Sequence, residues 1–275
     1  MPPRRPSCGP SLLRQELAHL NLERAAAGFD HELTMGELPS LLYQGQDGQH
    51  GNFLPASYRA ICANPDWRRR LAKCYAGTRR VPRSGDRKRF ELDCANSSDA
   101  LLMNIFCCPG VLRRPAVCSL LGIEPGLRPQ FGFRPRIPSS TTRTDRTEID
   151  MSLGHLLVEA KLTETGFQTA SLALLLRYRD LDEVFAVDEL PISGETVGSY
   201  QLIRGVLAAH TLHRSFVLLC DDRRADLVER WFRIMSAVRC CDLRNRLSLL
   251  TWQELAAALP PGLRRFLAAK YGIGP

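Results

Sequence analysis

The sequence predicts a layered α/β domain preceded by a helical, basic N-terminal segment. Three observations carry that expectation. Residues 147–163 read as two extended segments around a turn at Gly154-His155. Ser215–Cys220 is a nearly continuous apolar run, as expected of a strand covered on both faces. A helical stripe follows it, and strand and helix patterns then recur, which is the signature of layered α/β architecture.

From the N-terminus, Ser11–Ala27 has the spacing of an amphipathic helix, with Leu13, Leu17 and Leu20 on one side and Gly28 at its end. The polar, glycine-rich stretch 43–52 is expected to be a loop. Asn64-Pro65-Asp66-Trp67 reads as a cap with proline at the first helical position, opening a helix to about Tyr75. A chain of 275 residues lies near the upper limit for one core, so the expected division is an extension over 1–90 and a main domain over 91–275.

Asn96-Ser97-Ser98-Asp99 is a polar cap leading into the apolar segment Ala100–Phe106, which Pro109-Gly110 stops; Asp99 is read as a capping residue. The proline-rich stretch 125–138 is expected to be a loop, because each proline removes a backbone donor. Further on, Tyr200–Ala209 carries a helical stripe at 202, 203, 206, 207 and 209. A second helix over Ala225–Ala237 has Leu227, Val228, Trp231, Phe232 and Met235 on one stripe, and Leu247–Leu250 reads as a strand. Thr251-Trp252-Gln253-Glu254 has capping-box spacing, and Trp231, Phe232 and Trp252 are expected in the core.

The chemistry concentrates in 147–163. Strand side chains alternate with period two, so Glu148 and Asp150 share one face, as do Glu159 and Lys161. An antiparallel turn at Gly154-His155 would bring Asp150 beside Glu159, giving two carboxylates next to an ammonium. Hard divalent cations bind such pairs and complete their shell with water and phosphate oxygens. Of the 37 basic residues 33 are arginine, and the lysines stand only at 73, 88, 161 and 270. A chain so biased toward arginine keeps lysine at 161, where a compact ammonium differs most from a planar guanidinium.

Ile149-Asp150 followed by Glu159-Ala160-Lys161 resembles the PD-(D/E)XK superfamily of restriction-endonuclease-like nucleases, in its restriction endonuclease branch. Ile149 departs from the name-giving proline. The resemblance implies a mixed central sheet flanked by helices and Mg²⁺, with Mn²⁺ as substitute, held by Asp150 and Glu159. It also implies hydrolysis of DNA phosphodiester bonds, in endonuclease fashion, leaving a 5′-phosphate. Lys161 would orient water or stabilise charge, Glu148 would assist, and Gln201, on the helix after the motif, would approach the site. Ala100–Phe106 would be the first core helix, with Glu91 or Asp99 as an additional acid.

Charge supports a nucleic-acid partner. Between Asp66 and Arg89 ten basic residues face two acidic ones, a local excess equal to the +8 of the whole chain. Such a concentration supplies phosphate affinity without reading sequence. Arg68, Arg69, Arg70 and Lys73 belong to this run, and Arg128, Arg134, Arg136, Arg143 and Arg146 form a second cluster before the motif.

The ten cysteines show no Cys-x-x-Cys spacing, so buried reduced thiols are expected. No stretch approaches a membrane span and residues 1–6 lack an apolar signal core, giving the expectation of a cytoplasmic protein with DNA, a second copy of the chain as partner, and no membrane. His210 and His213 are read as complements to a helix C-terminus, and His155 as a turn residue near the site. Two other readings stay open: a catalytically inactive nuclease-like module that binds DNA or protein, and an enzyme for a small phosphorylated metabolite.

Overall fold

The computed structural model describes residues 8–26, 28–34, 40–46, 48–74, 90–140, 144–145 and 147–274. The chain forms two compact units, one from residues 8–126 together with 252–274, the other from 127–251. The division expected at residue 90 therefore falls elsewhere.

The reason lies in the first unit. Helix α1 (Pro10–Ala26) buries Leu13, Leu17, Asn21 and Ala25, a strict four-residue stripe that passes over Leu20. The expected loop at 43–52 holds a short antiparallel pair, Gly45–Gln46 with Gln49–His50. Helix α2 (Pro55–Ala63) and the short α3 (Pro65–Arg70) follow, both begun by proline; α3 ends before the expected Tyr75, which lies outside the described residues. Helix α4 (Ser98–Phe106) is buried along its whole length. Its Asn104 donates to Asn52 O and accepts from Leu54 N–H, while Ser57 Oγ donates to Asn104 O. These bonds tie α4 to the segment before α2, so α4 belongs to this unit and not to the sheet-bearing one. The C-terminal helix Pro261–Tyr271 returns to α1, where Lys270 Nζ donates to Asn21 Oδ1 at 2.6 Å.

Ser97, not Asp99, caps α4, its side chain accepting from Ala100 N–H. Asp99 is buried and pairs with Lys73 Nζ at 2.7 Å and Arg70 Nη2 at 2.8 Å. Burial alone would raise its pKa; Lys73 and Arg70 outweigh it and hold the carboxyl below its ordinary value.

The second unit is built on a five-stranded mixed sheet. Its strands are β1 (Gln130–Phe133), β2 (Ile149–Leu153), β3 (Leu156–Ala160), β4 (Ser215–Cys220) and β5 (Leu247–Thr251), in the spatial order β5-β4-β3-β2-β1. β2 runs antiparallel to its neighbours β1 and β3, whereas β3, β4 and β5 are parallel. This is the mixed sheet with helices packed on it that the restriction-endonuclease-like resemblance implies. The β2–β3 turn needs Gly154, which has φ +59; a Cβ there would also lie 2.8 Å from Leu127 Cδ1.

Helix α5 (Tyr200–Thr211) packs on β3 and β4, and α6 (Ala225–Ser236) on β4 and β5. At Gly205 the helix meets the sheet so closely that a Cβ would lie 2.3 Å from Phe216 Cε2. On α6 the buried face is Leu227, Trp231 and Ile234, the i, i+4, i+7 set. Phe232, one position around the helix from Trp231, is 56% exposed, against the expectation that it lies in the core. The proline-rich stretch also differs from expectation: Gln130–Phe133 is free of proline and forms β1 at the sheet edge, the place where flanking prolines do least harm.

Candidate active site

β3 is the central strand, hydrogen-bonded to β2 on one side and β4 on the other, and all five of its residues are buried. It nevertheless ends in charge. Glu159 is 2% exposed and Lys161, just past the strand, 5%. Period two puts both on one face, where Lys161 Nζ donates to Glu159 Oε1 at 2.6 Å. The Lys161 backbone N–H donates to Leu219 O of β4, so the residue continues the parallel ladder. Its ammonium also lies 5.9 Å from the Phe167 ring.

Asp150 meets this pair at a break in the sheet. The β2–β3 pairing runs from Leu153–Leu156 to Met151–Val158, and one further step places Asp150 opposite Glu159, as the hairpin reading expected. Instead of a continued ladder, Asp150 Oδ2 accepts the Ala160 N–H at 2.8 Å. On its other side the β1–β2 pairing skips the step where Gly132, φ +66, stands opposite Asp150. Asp150 thus stands where both neighbouring ladders are interrupted. Burial by itself would lower the Lys161 pKa; Glu159, Asp150 and Glu164 outweigh it and raise it above its ordinary value.

Glu164 was not singled out in the sequence. Its Oε2 accepts the Leu162 N–H at 2.6 Å, folding back beside Lys161. Period two ends with the strand, so only its proximity to Lys161 could have signalled it. Arg224 was also missed. Fully buried after β4, it donates to Leu162 O at 3.1 Å and is held by Asp226 through two bonds of 2.7 and 2.9 Å. It fixes the backbone that follows Lys161. The run Asp221-Asp222-Arg223-Arg224 at the end of a buried strand was the available sign.

The other sequence candidates are placed as follows. Glu148 pairs with Arg134 at 3.3 Å, and its backbone carbonyl accepts from Arg204. Gln201 lies in the first turn of α5, its N–H donating to Phe167 O in the segment after Lys161. That junction is held by Gln168 and Ser199 at φ +54 and +55, the left-handed region that non-glycine residues rarely enter. His155 sits at the closed end of the hairpin, four residues from Glu159, roughly 13 Å along an extended strand. It is therefore not close to the site. Arg204 is buried beside Asp145, which accepts from Tyr178 OH at 2.5 Å; Tyr178 OH is in turn 2.7 Å from Tyr200 OH.

Of the basic candidates, Arg68, Arg134 and Arg136 are exposed. Arg69 is exposed and pairs with Asp66. Arg70 and Lys73 are turned onto Asp99 and paired with it, where the sequence reading expected phosphate contacts. Arg143, Arg146 and the basic residues from 79 to 89 lie outside the described residues. None of the ten cysteines is in a disulfide: four are buried, as expected, but Cys74, Cys240 and Cys241 are exposed.

Among the described residues no group of three or more His, Cys, Asp or Glu converges as a metal cage. The donor set at the sheet break is instead two carboxylates on adjacent strands, with Glu164 close by and one ammonium among them. Three acids against one base leave a local excess of negative charge, and hard oxygen donors in such small number suit Mg²⁺, which keeps water and substrate oxygens in its shell. The residues present fit that ion, with Lys161 holding one oxygen of Glu159.

Among the described residues no helix is long and apolar enough to cross a membrane. Comparison with curated proteins and with solved structures finds no match. A family model described as REase-ARP, restriction endonuclease associating with ARP, matches residues 24–272 and so takes in both units and the whole Asp150–Glu159–Lys161 site. With nearly the entire chain matched, the protein belongs to the REase-ARP family of restriction-endonuclease-like nucleases.

Proposed function

We propose that this chain is a Mg²⁺-dependent DNA endonuclease whose centre is Asp150, Glu159 and Lys161. The observation that carries the reading is the Glu159–Lys161 pair, 2.6 Å apart on the central strand, with Asp150 opposite it at a break in the sheet. Asp150 and Glu159 would hold the ion. When bound, magnesium supplies Lewis-acid stabilisation of the scissile phosphate and makes a nearby water more acidic.

Lys161, kept cationic by its three carboxylates, donates hydrogen bonds to the attacking water or to the phosphate oxygens as charge develops on them. In-line attack forms a bond from water oxygen to phosphorus and breaks the bond to the 3′ oxygen, leaving a 5′-phosphate. Glu164 and Arg224 fix the segment beside Lys161. Gln201 is carried to that segment by α5 and would orient the lysine, a water or a backbone phosphate.

The test is cleavage of supercoiled, linear and single-stranded DNA, and of RNA, by purified protein with Mg²⁺ or Mn²⁺ and with chelator. The expected result is chelator-sensitive nicking or cutting of DNA that Asp150→Asn and Lys161→Met abolish. Cleavage that persists in both variants would overturn it. One observation favours a second reading, an inactive nuclease-like binding module: Glu159 and Lys161 already satisfy each other in a buried pair. That reading predicts salt-sensitive DNA binding that neither chelator nor these substitutions change.

A further inference from the structure

The unit formed by residues 8–126 and 252–274 contains a cavity of about 540 Å³ that the nuclease centre does not use. Its lining includes Glu32, Gln44, His50, Tyr58, Phe90 and Asp93. An open surface depression of about 480 Å³ shares Tyr58 and Phe90 with it and is bordered by Arg68. Both sizes suit a small planar ligand with a charged appendage.

The inner cavity is built from aromatic surface and paired acceptors. Phe53 stacks behind Tyr58 at 5.6 Å with planes 23° apart, and His50 packs edge-on to Phe53 at 5.2 Å, so the ring facing the cavity is braced. Phe90 is set beside it by the bridge between Cys74 and Phe90. Asn52 N–H donates to His50 Nδ1, which leaves Nε2 to carry the ring proton toward Asp93 Oδ1 at 3.3 Å. Gln44 donates to Glu32 Oε1 at 2.7 Å. Among the described residues, each carboxylate has one oxygen engaged by a neighbouring side-chain donor.

We infer that this cavity and the adjoining depression bind a single unstacked nucleotide carrying an exocyclic amine, with its base against Tyr58 and Phe90 and its phosphate at Arg68. Aromatic faces hold any base by stacking. Carboxylate acceptors favour an amino edge, as on cytosine or adenine, over a carbonyl edge. A methylated ammonium would also suit aromatic walls and acids. Arg68 argues against it, since a guanidinium repels a cation and holds a phosphate.

The inference rests on the reading of this chain as a nucleic-acid enzyme, but its test needs neither metal nor cleavage. Equilibrium dialysis of the full chain in chelator, with dCMP, dAMP, dTMP, deoxycytidine and tetramethylammonium, separates the cases. The expected result is binding of dCMP or dAMP about tenfold or more tighter than dTMP. Tyr58→Leu should weaken it about tenfold. Arg68→Ala, a change at an exposed position that the fold tolerates, should weaken the nucleotide but not the nucleoside. Asp150→Asn should change nothing. No nucleotide binding, equal binding of dTMP, indifference to Arg68→Ala, or preference for tetramethylammonium would overturn the inference. Nucleotide binding by a protein that fails to cleave would leave it standing while removing the nuclease proposal.

Discussion

The carboxylate of Asp150 accepts the backbone N–H of Ala160, the residue that separates Glu159 from Lys161. One acid is thereby locked to the strand that bears the other acid and the lysine. A hydrogen bond to backbone orients the carboxylate, so the site's geometry is a property of the sheet rather than of a loop.

That lock distinguishes two substitutions. Asp150→Asn keeps an oxygen able to accept from Ala160 N–H and should change unfolding free energy by less than about 1 kcal/mol while abolishing cleavage. Asp150→Ala leaves the N–H without its partner and should cost roughly 1–3 kcal/mol as well. Urea unfolding beside the cleavage assay measures both.

The Glu159–Lys161 pair predicts a thermodynamic cycle. Lys161→Met strands a buried carboxylate and should destabilise the fold by about 3 kcal/mol, whereas Glu159→Gln with Lys161→Met should recover much of that loss. Cleavage should stay absent in the double variant. Recovery of stability without activity separates the structural part of the pair from its chemistry.

Asp99 gives a pH-dependent prediction. Its folded pKa is depressed by Lys73 and Arg70, so it contributes stability above its unfolded value near 3.8 that is lost as pH falls through the lower, folded pKa. Asp99→Asn should cost about 2 kcal/mol at pH 7, less than for a fully enclosed pair because Lys73 and Arg70 reach solvent. The difference should vanish in strong acid, as thermal unfolding across pH would record.

Lys270 gives a slope of the same sign from the opposite cause, a charged form that the fold disfavours. It is fully buried, bonded to Asn21 Oδ1 and Ala95 O and flanked by the rings of Tyr43 and Tyr271. Burial, with Arg24 adding to it, lowers its folded pKa well below 10.5. Between that value and 10.5 the unfolded chain holds a proton the native one lacks, so stability rises with pH, by up to about 1.4 kcal/mol per unit for one proton. Lys270→Met should flatten that slope in denaturant melts across the alkaline range.

Much of this was legible in the chain. The Gly154 turn, the alternation through Glu159 and Lys161, and the apolar run Ser215–Cys220 each depend on local pattern, and each stands where the pattern put it. The lysine bias was informative too, since Lys73, Lys161 and Lys270 all have specific partners inside the fold. What pattern could not give was long-range partnership. Asn104 joins α4 to residues 52–57, and the C-terminal helix returns to α1 across most of the chain, so no boundary could be read at residue 90. Arg70 and Arg68 look alike in sequence; only the fold turns one onto Asp99 and leaves the other exposed. Glu164 and Arg224 escaped because each acts on the backbone of Leu162, a partnership that the charge run and the proximity to Lys161 only hinted at.

The central claim is that Asp150 and Glu159 together hold a divalent ion, and Mn²⁺ binding followed by electron paramagnetic resonance tests it most directly. The account predicts bound Mn²⁺ in the wild-type protein that Mg²⁺ displaces and that is lost in both Asp150→Asn and Glu159→Gln. Wild-type protein that binds no Mn²⁺, or binds it equally well in either variant, would contradict it.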